Sequence, residues 1–366
     1  MFSVLIDTSA YEELRLSFKG DIFDSLINLS KEQKIIIVSS IIIYEEMKAH
    51  LKESIATSIN KIDKVSKDIN RLSFGDLGAI TTLLNDKEKL KNDLLKERLD
   101  RIDTFFDNAK IETLDISDVD INQILINYFA IKPPFGEGGK RKEFPDAFIL
   151  YAFVQEYKDH LDQTCIVSND PDWKKFAEGY PQTRYFESIR KMIDFILSDF
   201  DKTFTTMLRE AIEGKSELLV EEIIEQINDG SFSVDDSWIN PDEELDISSV
   251  KVDILDFNII SYTGETANIE VETLISYELR LWAADETASY KDDDTKEWVY
   301  FGVNQYKAAI TKKVVIETEY YFDSHPTTLK ESLGIGEVSI PDEVFYADDE
   351  ERFELIKHWA DEDYRD

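Results

Sequence analysis

The chain has 366 residues, 42% of them hydrophobic and 12% aromatic, enough to bury more than one core. Its formal net charge of −36 argues against a broad nucleic-acid-binding surface, and no apolar run reaches the roughly 18 residues that a membrane span needs. The single cysteine, Cys165, rules out an internal disulfide or a cysteine-based zinc site within one chain and reads as a small buried hydrophobe.

The first half alternates short apolar runs with helical patterns. "FSVLI" predicts a strand and "SAYEELRLSFKGDIFDSLINLSKEQ" predicts helices. "KIIIV" predicts a second strand, and "SSIIIYEEMKAHL" opens a helix capped by Ser39 or Ser40. "KIETLD" reads as a strand, and "PDAFILYAFVQEYKDHL" as a helix with proline in its first turn. "TCIVS", "PDWKKFAEG", "TRYFE" and "SIRKMIDFILSDF" then read as strand, short helix, strand and helix. Alternation of this kind predicts a parallel sheet with helices on its faces.

Between Leu51 and Asn108 the pattern becomes purely helical. Ile55, Ile59, Ile62, Ser66, Ile69 and Leu72 recur at helical steps, as do Leu95, Leu99, Ile102 and Phe106, with "SFGDLG" between the two stretches. This predicts a charged helical hairpin inserted into the α/β domain, either as a lid or arm or as extra cover for the sheet.

From residue 200 the character changes, which sets the expected domains at 1–199 and 200–366. "KTFTTMLREAIEGKSELLVEEIIEQIND" predicts one or two helices. "VKVDILDFNIISY", "ANIEVETLISYELRLWAAD", "KEWVYFGVNQY" and "KAAITKKVVIETEYYFD" predict strands of an antiparallel sheet with one wet face. "ASYKDDDTKEW" reads as a polar hairpin loop, and the tail "ADDEERFELIKHWADEDYRD" as acidic and partly helical. Residues 200–366 carry 42 acidic and 14 basic side chains, net −28, so most of the acidity lies here. The first half is only mildly acidic and contains the basic run Lys140, Arg141 and Lys142 in "PPFGEGGKRKEF".

Four acidic positions in the first half sit where a parallel sheet would gather them. Asp7 follows the first strand, and Glu46 (or Glu45) lies two helical turns past the second. Asp146 opens a helix, and Asp170 and Asp172 follow "CIVS". The carboxyl ends of parallel strands form the rim at which such sheets bind ligands. Each acid also has a simpler reading. Asp7 could cap a helix, Glu46 face solvent, Asp146 favour a helix dipole, and Asp172 pair with Lys174 or Lys175 or cap its helix. If they meet, two carboxylates about 4 Å apart repel by roughly 4 kcal/mol at an effective dielectric near 20. Protons or a divalent cation must then offset the charge, and an all-oxygen donor set favours Mg²⁺ or Mn²⁺. The histidines His50, His160, His325 and His358 are scattered and receive no role.

Taken in order, "VLIDTS", "IIIVSSIIIYEEMKAHL", "KRKEFPDAFILYAF" and "CIVSNDPDWKKF" resemble the PIN domain family of metal-dependent ribonucleases. The resemblance covers the first ~200 residues. It implies a Rossmann-like parallel sheet whose acids converge at its C-terminal edge. It places the four acids on Asp7, Glu46, Asp146 and Asp170, with Glu45 as the fallback for the second and Asp172 as an auxiliary metal ligand. Thr8 or Ser9 matches a small hydroxyl that holds a metal-bound water or a ligand. The implied activity is hydrolysis of phosphodiester bonds, usually in single-stranded RNA, by a water activated on Mg²⁺ or Mn²⁺, as in a toxin-like, defence or stress effector. Lys140, Arg141 and Lys142 would hold the substrate backbone.

Two further readings of the whole stay open at this point: an inactive PIN-like scaffold that binds RNA or protein, and a DNA nuclease or phosphatase using the same carboxylates. The second half is expected to be an acidic α+β domain that binds a basic protein partner, covers the basic run, or is a homodimerisation or sensing module whose charge only aids solubility. The absence of a basic segment ahead of an apolar stretch at the N-terminus predicts no signal peptide and, with the lone cysteine, a cytoplasmic location.

Overall fold

The structure, a computed structural model, describes residues 1–71, 86–136, 143–235, 241–284, 289–291, 298–300, 302–323, 329–348 and 353–360. The chain divides into two compact units, Met1–Phe200 and Asp201–Asp366.

The first unit runs β1 (Phe2–Ile6), α1 (Thr8–Glu13), α2 (Asp21–Lys31), β2 (Ile35–Ser39), α3 (Ile41–Arg71), α4 (Lys87–Asn108) and β3 (Glu112–Thr113). It continues with α5 (Ile121–Phe129), α6 (Phe144–Glu156), β4 (Thr164–Val167), α7 (Pro171–Glu178), β5 (Arg184–Phe186) and α8 (Ile189–Phe200). Its five strands are all parallel, in the order β3-β2-β1-β4-β5. β1 is fully buried, as is every residue of β4. That is why both read as mostly apolar runs, with only Ser3 and Thr164 polar, rather than as alternating ones. The chain leaves β1 toward β2 on one side and returns to β4 on the other. The crevice above the carboxyl ends of β1 and β4 is therefore the topological switch point, where open α/β sheets bind ligands.

Local chemistry sets the ends of these elements. Ser40 Oγ accepts from the Ile43 amide at 3.2 Å and so caps α3. The predicted strand in "KIETLD" is only two residues long, although Leu114 N–H extends the ladder onto Ser39 O. The helix α5 was not anticipated from the sequence; Asp120 caps it. α3 and α4 pack against each other, joined by Lys87 to Asp63 at 2.6 Å and by Tyr44 to Asp103 at 2.9 Å. The buried stripe of α3 differs from the one expected. Ile59 and Ser66 are buried, but Ile62 is 49% exposed, and its neighbour Asp63 pairs with Lys67 and Lys87. The side chains of Ile69 and Leu72, and the "SFGDLG" segment, lie outside the described residues. At its far end α4 inserts Phe105 into a ring cluster with Tyr11, Phe18 and Phe23, at centroid distances of 6.3, 5.4 and 5.3 Å.

The second unit begins with α9 (Lys202–Glu213) and α10 (Ser216–Asn228). Strands β6 (Ser233–Asp235), β7 (Pro241–Tyr262), β8 (Thr266–Ala284), β9 (Ser289–Lys291), β10 (Trp298–Tyr300) and β11 (Gly302–Tyr321) follow. The short α11 (Leu329–Ser332), β12 (Gly334–Ser339), β13 (Tyr346–Asp348) and β14 (Glu354–Ala360) complete it. β12, β11, β8 and β7 form an antiparallel sheet in that order, with β14 also on β11. α10 packs on β7. On β8 every second residue from Ala267 to Leu281 is buried, the period-two pattern read from "IEVETLISYELRL".

Two expectations in this unit are corrected. "GVNQY" and "KAAITKKVVIETEYY" form one continuous strand, β11, because no turn residue separates them. Within the acidic tail, Glu354–Ala360 is a strand rather than a helix, since it finds β11 as an antiparallel partner. The acidic stretch of the predicted hairpin loop, residues 292–297, lies outside the described residues.

Candidate active site

Asp7 ends β1 and is 6% exposed. It occupies the residue before α1 but makes no side-chain cap to that helix. Its carboxylate instead accepts from Ser9 Oγ at 2.5 Å and from Ser168 Oγ at 2.7 Å. Ser168 follows β4, and Asp7 N–H bonds to Val167 O at 2.9 Å, so the two central strands deliver both residues to the same point. Burial pushes the Asp7 carboxyl up from its ordinary range; the two hydroxyls work against this, and the Asp170 charge adds to it.

Glu46 lies on α3 and accepts from Thr8 Oγ1 at 2.9 Å. Partial burial raises its carboxyl, and the charge of Asp7 raises it further. Glu45 is exposed and pairs with Lys48, so the α3 face that meets α1 carries Glu46. One turn further along both helices, His50 and Glu12 form a second polar contact between α1 and α3.

Asp146 sits in the first turn of α6 behind Pro145. Its carboxyl is pushed up to about 7, first by burial and then by the charges of Asp7 and Glu46, while a hydrogen bond from the Trp173 side chain opposes the shift. Trp173 is 1% exposed and belongs to α7. Three carboxylates from three elements distant in sequence thus share one electrostatic neighbourhood.

Asp170 caps α7, accepting from the Asp172 amide at 2.7 Å. Its own amide donates to Ser168 Oγ at 2.9 Å, and its charge is felt at Asp7. Asp172 is buried and receives Lys175 Nζ at 3.0 Å, one of the plainer readings open to it. Thr8 and Ser9 serve as donors to Glu46 and Asp7. Lys140, Arg141 and Lys142 lie outside the described residues.

Sequence reasoning missed Ser168, Trp173 and Tyr185. Tyr185 on β5 donates its hydroxyl to Ser168 O and so steadies the loop that carries Asp170. Ser168 had a signal, since it follows its strand as Asp7 follows β1. Trp173 and Tyr185 looked like ordinary core and strand aromatics.

Among the described residues, no three acidic, histidine or cysteine side chains are grouped closely enough to enclose a metal ion. The donor chemistry nonetheless fits a hard divalent cation. Every candidate donor is a carboxylate, and the charges of Asp7 and Glu46 both raise Asp146. Mg²⁺ keeps several waters and needs only one or two protein carboxylates, so an open cluster suits it better than a closed cage.

The parallel sheet and its acidic switch point define the N-terminal unit as an α/β domain with a carboxylate-lined rim. A family model described as PIN domain matches residues 4–173, so the first ~200 residues carry a PIN domain. PIN domains are generally nucleases and use divalent metal ions. No curated protein and no solved structure matched the chain. Among the described residues, no helix is long and apolar enough to cross a membrane.

Proposed function

We propose that the N-terminal unit is a metal-dependent endoribonuclease that hydrolyses phosphodiester bonds of single-stranded RNA. The observation that carries this reading is the gathering of acids from separate elements at the switch point: Ser168 bonds to Asp7 across β1 and β4, Thr8 bonds to Glu46 across α1 and α3, and the repulsion of both carboxylates reaches Asp146 on α6. A protein keeps such repulsion where a cation uses it.

In this reading Asp7, Glu46 and Asp146 hold Mg²⁺ or Mn²⁺, and Asp170 shapes the field from the far side of Asp7. The ion, when bound, supplies an activated water and stabilises charge on the phosphate. Ser9 and Ser168 favour the ionised form of the Asp7 carboxylate against its burial and fix its direction; Thr8 does the same for Glu46. Trp173 orients Asp146. Lys140, Arg141 and Lys142 are proposed to hold the strand.

The open spacing of the carboxylates is what favours a second reading, an inactive scaffold that binds RNA or protein. One experiment separates the two. Labelled single-stranded RNA and DNA are incubated with Mn²⁺, Mg²⁺ or EDTA, using the native chain and Asp146→Asn. Cleavage that needs metal and is lost in the variant supports the nuclease, and the RNA and DNA arms decide the substrate. Cleavage that ignores EDTA and survives the substitution ends the metal mechanism. Binding without cleavage in any arm leaves the scaffold.

A further inference from the structure

Beside the carboxylate rim, α7, β5 and the start of α8 enclose a cleft of about 480 Å³. Its apolar side is lined by Pro181, Tyr185 and Phe186, and its charged side by Lys174, Lys191 and the two acids Glu178 and Glu187. Tyr185 also belongs to the rim. Its ring lines the cleft while its hydroxyl bonds to Ser168 O, next to the residue that holds Asp7 and the loop that carries Asp170.

The charged wall has a particular arrangement. Glu187 accepts from Lys174 at 3.1 Å, and Lys191 approaches its other oxygen at 3.7 Å. The Lys174 ammonium lies 6.0 Å from the Tyr185 ring centre. One carboxylate is thus held between two ammonium groups at the edge of an aromatic surface. An anion attached to a flat ring would meet the same surroundings. The volume falls in the range of roughly 300–1,000 Å³ usual for small-molecule sites.

We propose that this cleft binds one nucleotide, its base against Tyr185 and its phosphate between Lys174 and Lys191 in place of the Glu187 carboxylate. The inference rests on the nuclease reading above and supplies its strand-binding subsite, flanking the bond to be cut. A base enters such a cleft only when it is free of a duplex, so the subsite selects unpaired strands. Base stacking on aromatic rings tolerates sequence, and lysine ammonium groups read phosphate as point charges. Glu187 acts as a built-in competitor that the strand displaces.

The test is a binding measurement on the full chain in EDTA, where metal-dependent hydrolysis is silent. A short fluorescent single-stranded RNA is titrated by anisotropy, and unlabelled mononucleotide is the competitor. With Lys174 and Lys191 both changed to Ala, the dissociation constant should rise about five-fold or more, and the salt slope should fall by about 0.7 for each phosphate left without its lysine. Glu187→Gln should tighten binding several-fold, since the competing charge is gone. Competition by mononucleotide identifies a free nucleotide as a sufficient occupant; competition by strands alone identifies a strand subsite. Both support the cleft.

The Lys174 side chain is half-exposed and that of Lys191 partly buried, and a thermal melt checks that the variants fold. A double variant within roughly two-fold of the native constant, with an unchanged salt slope, overturns the proposal. So does Glu187→Gln binding no tighter than the native chain, or a chain that binds neither ligand. Lysine-dependent binding in a chain that cuts nothing with Mn²⁺ removes the nuclease reading and keeps the cleft. RNA cleavage with native KM in the lysine variant removes the cleft and keeps the nuclease.

Discussion

Ser168 donates its hydroxyl to the Asp7 carboxylate at 2.7 Å across the two central strands of the parallel sheet, between residues 161 positions apart. The same oxygen accepts the Asp170 amide at 2.9 Å. One serine therefore fixes two acids. Ser168→Ala should leave Asp7 with a single hydroxyl donor and push its carboxyl further up, since hydrogen bonds to the charged form are what hold it down. Loss of an outer partner of this kind costs about 10–100-fold in metal affinity. Titration calorimetry with Mn²⁺ should show that drop, and Ser168→Thr should recover most of it.

Asp146 makes a pH-dependent contribution to stability. Its carboxyl lies at about 7 in the folded chain, against an ordinary value of 3.8. Between those values the folded state holds a proton that the unfolded state lacks. The Asp146 contribution to stability is therefore fully present below about pH 4 and is lost as pH rises through about 7. In metal-free buffer this loss should lower the melting temperature between about pH 4 and about pH 7 and level off above that. Asp146→Asn should flatten the drop and gain about 2 kcal/mol at the alkaline end, a discounted share of the full shift. Added Mn²⁺ should raise the native melt at that end and the Asn variant much less. A native curve that rises with pH in EDTA would contradict the repulsion.

The positions of the four acids were legible because each stands beside a strong local signal. Asp7 ends a mostly apolar strand, Glu46 follows a second, Asp146 sits behind a helix-opening proline, and Asp170 precedes one. What was not legible depends on neighbours far away in sequence. Ser168 reads as any loop serine until β4 is known to lie beside β1. Trp173 reads as core until α7 is known to face Asp146. In the second unit the long strands announced themselves by alternation. β14 did not, because Leu355 and Ile356 are adjacent and both exposed, and only pairing with β11 makes the segment a strand.

Trp173→Phe separates the hydrogen bond to Asp146 from the packing around it. The indole donor lowers the Asp146 carboxyl, so removing it should push that carboxyl higher. The smaller ring leaves part of the buried slot empty, at a cost of about 1–3 kcal/mol, which a thermal melt reads separately from metal affinity. Mn²⁺ affinity near neutral pH should fall several-fold and recover as the pH is raised, as expected when protons compete more strongly for one ligand. An affinity loss equal at every pH would point to a packing defect.

The helical pair α3–α4 is anchored to the sheet domain through Phe105, which is 2% exposed and contacts Tyr11, Phe18 and Phe23. Tyr11 belongs to α1, the helix that also carries Thr8 and Ser9, so the anchor and the carboxylate rim share an element. Phe105→Ala should cost about 3–5 kcal/mol through lost burial and the cavity left behind. Because α1 borders that cavity, the Thr8–Glu46 contact should loosen with it, and Mn²⁺ affinity should fall even where the variant remains folded. Phe105→Leu, which refills most of the space, should restore both. Thermal melts paired with calorimetry on the two variants check this: a large loss of stability with native Mn²⁺ affinity would show that α1 holds the rim independently of the helical pair.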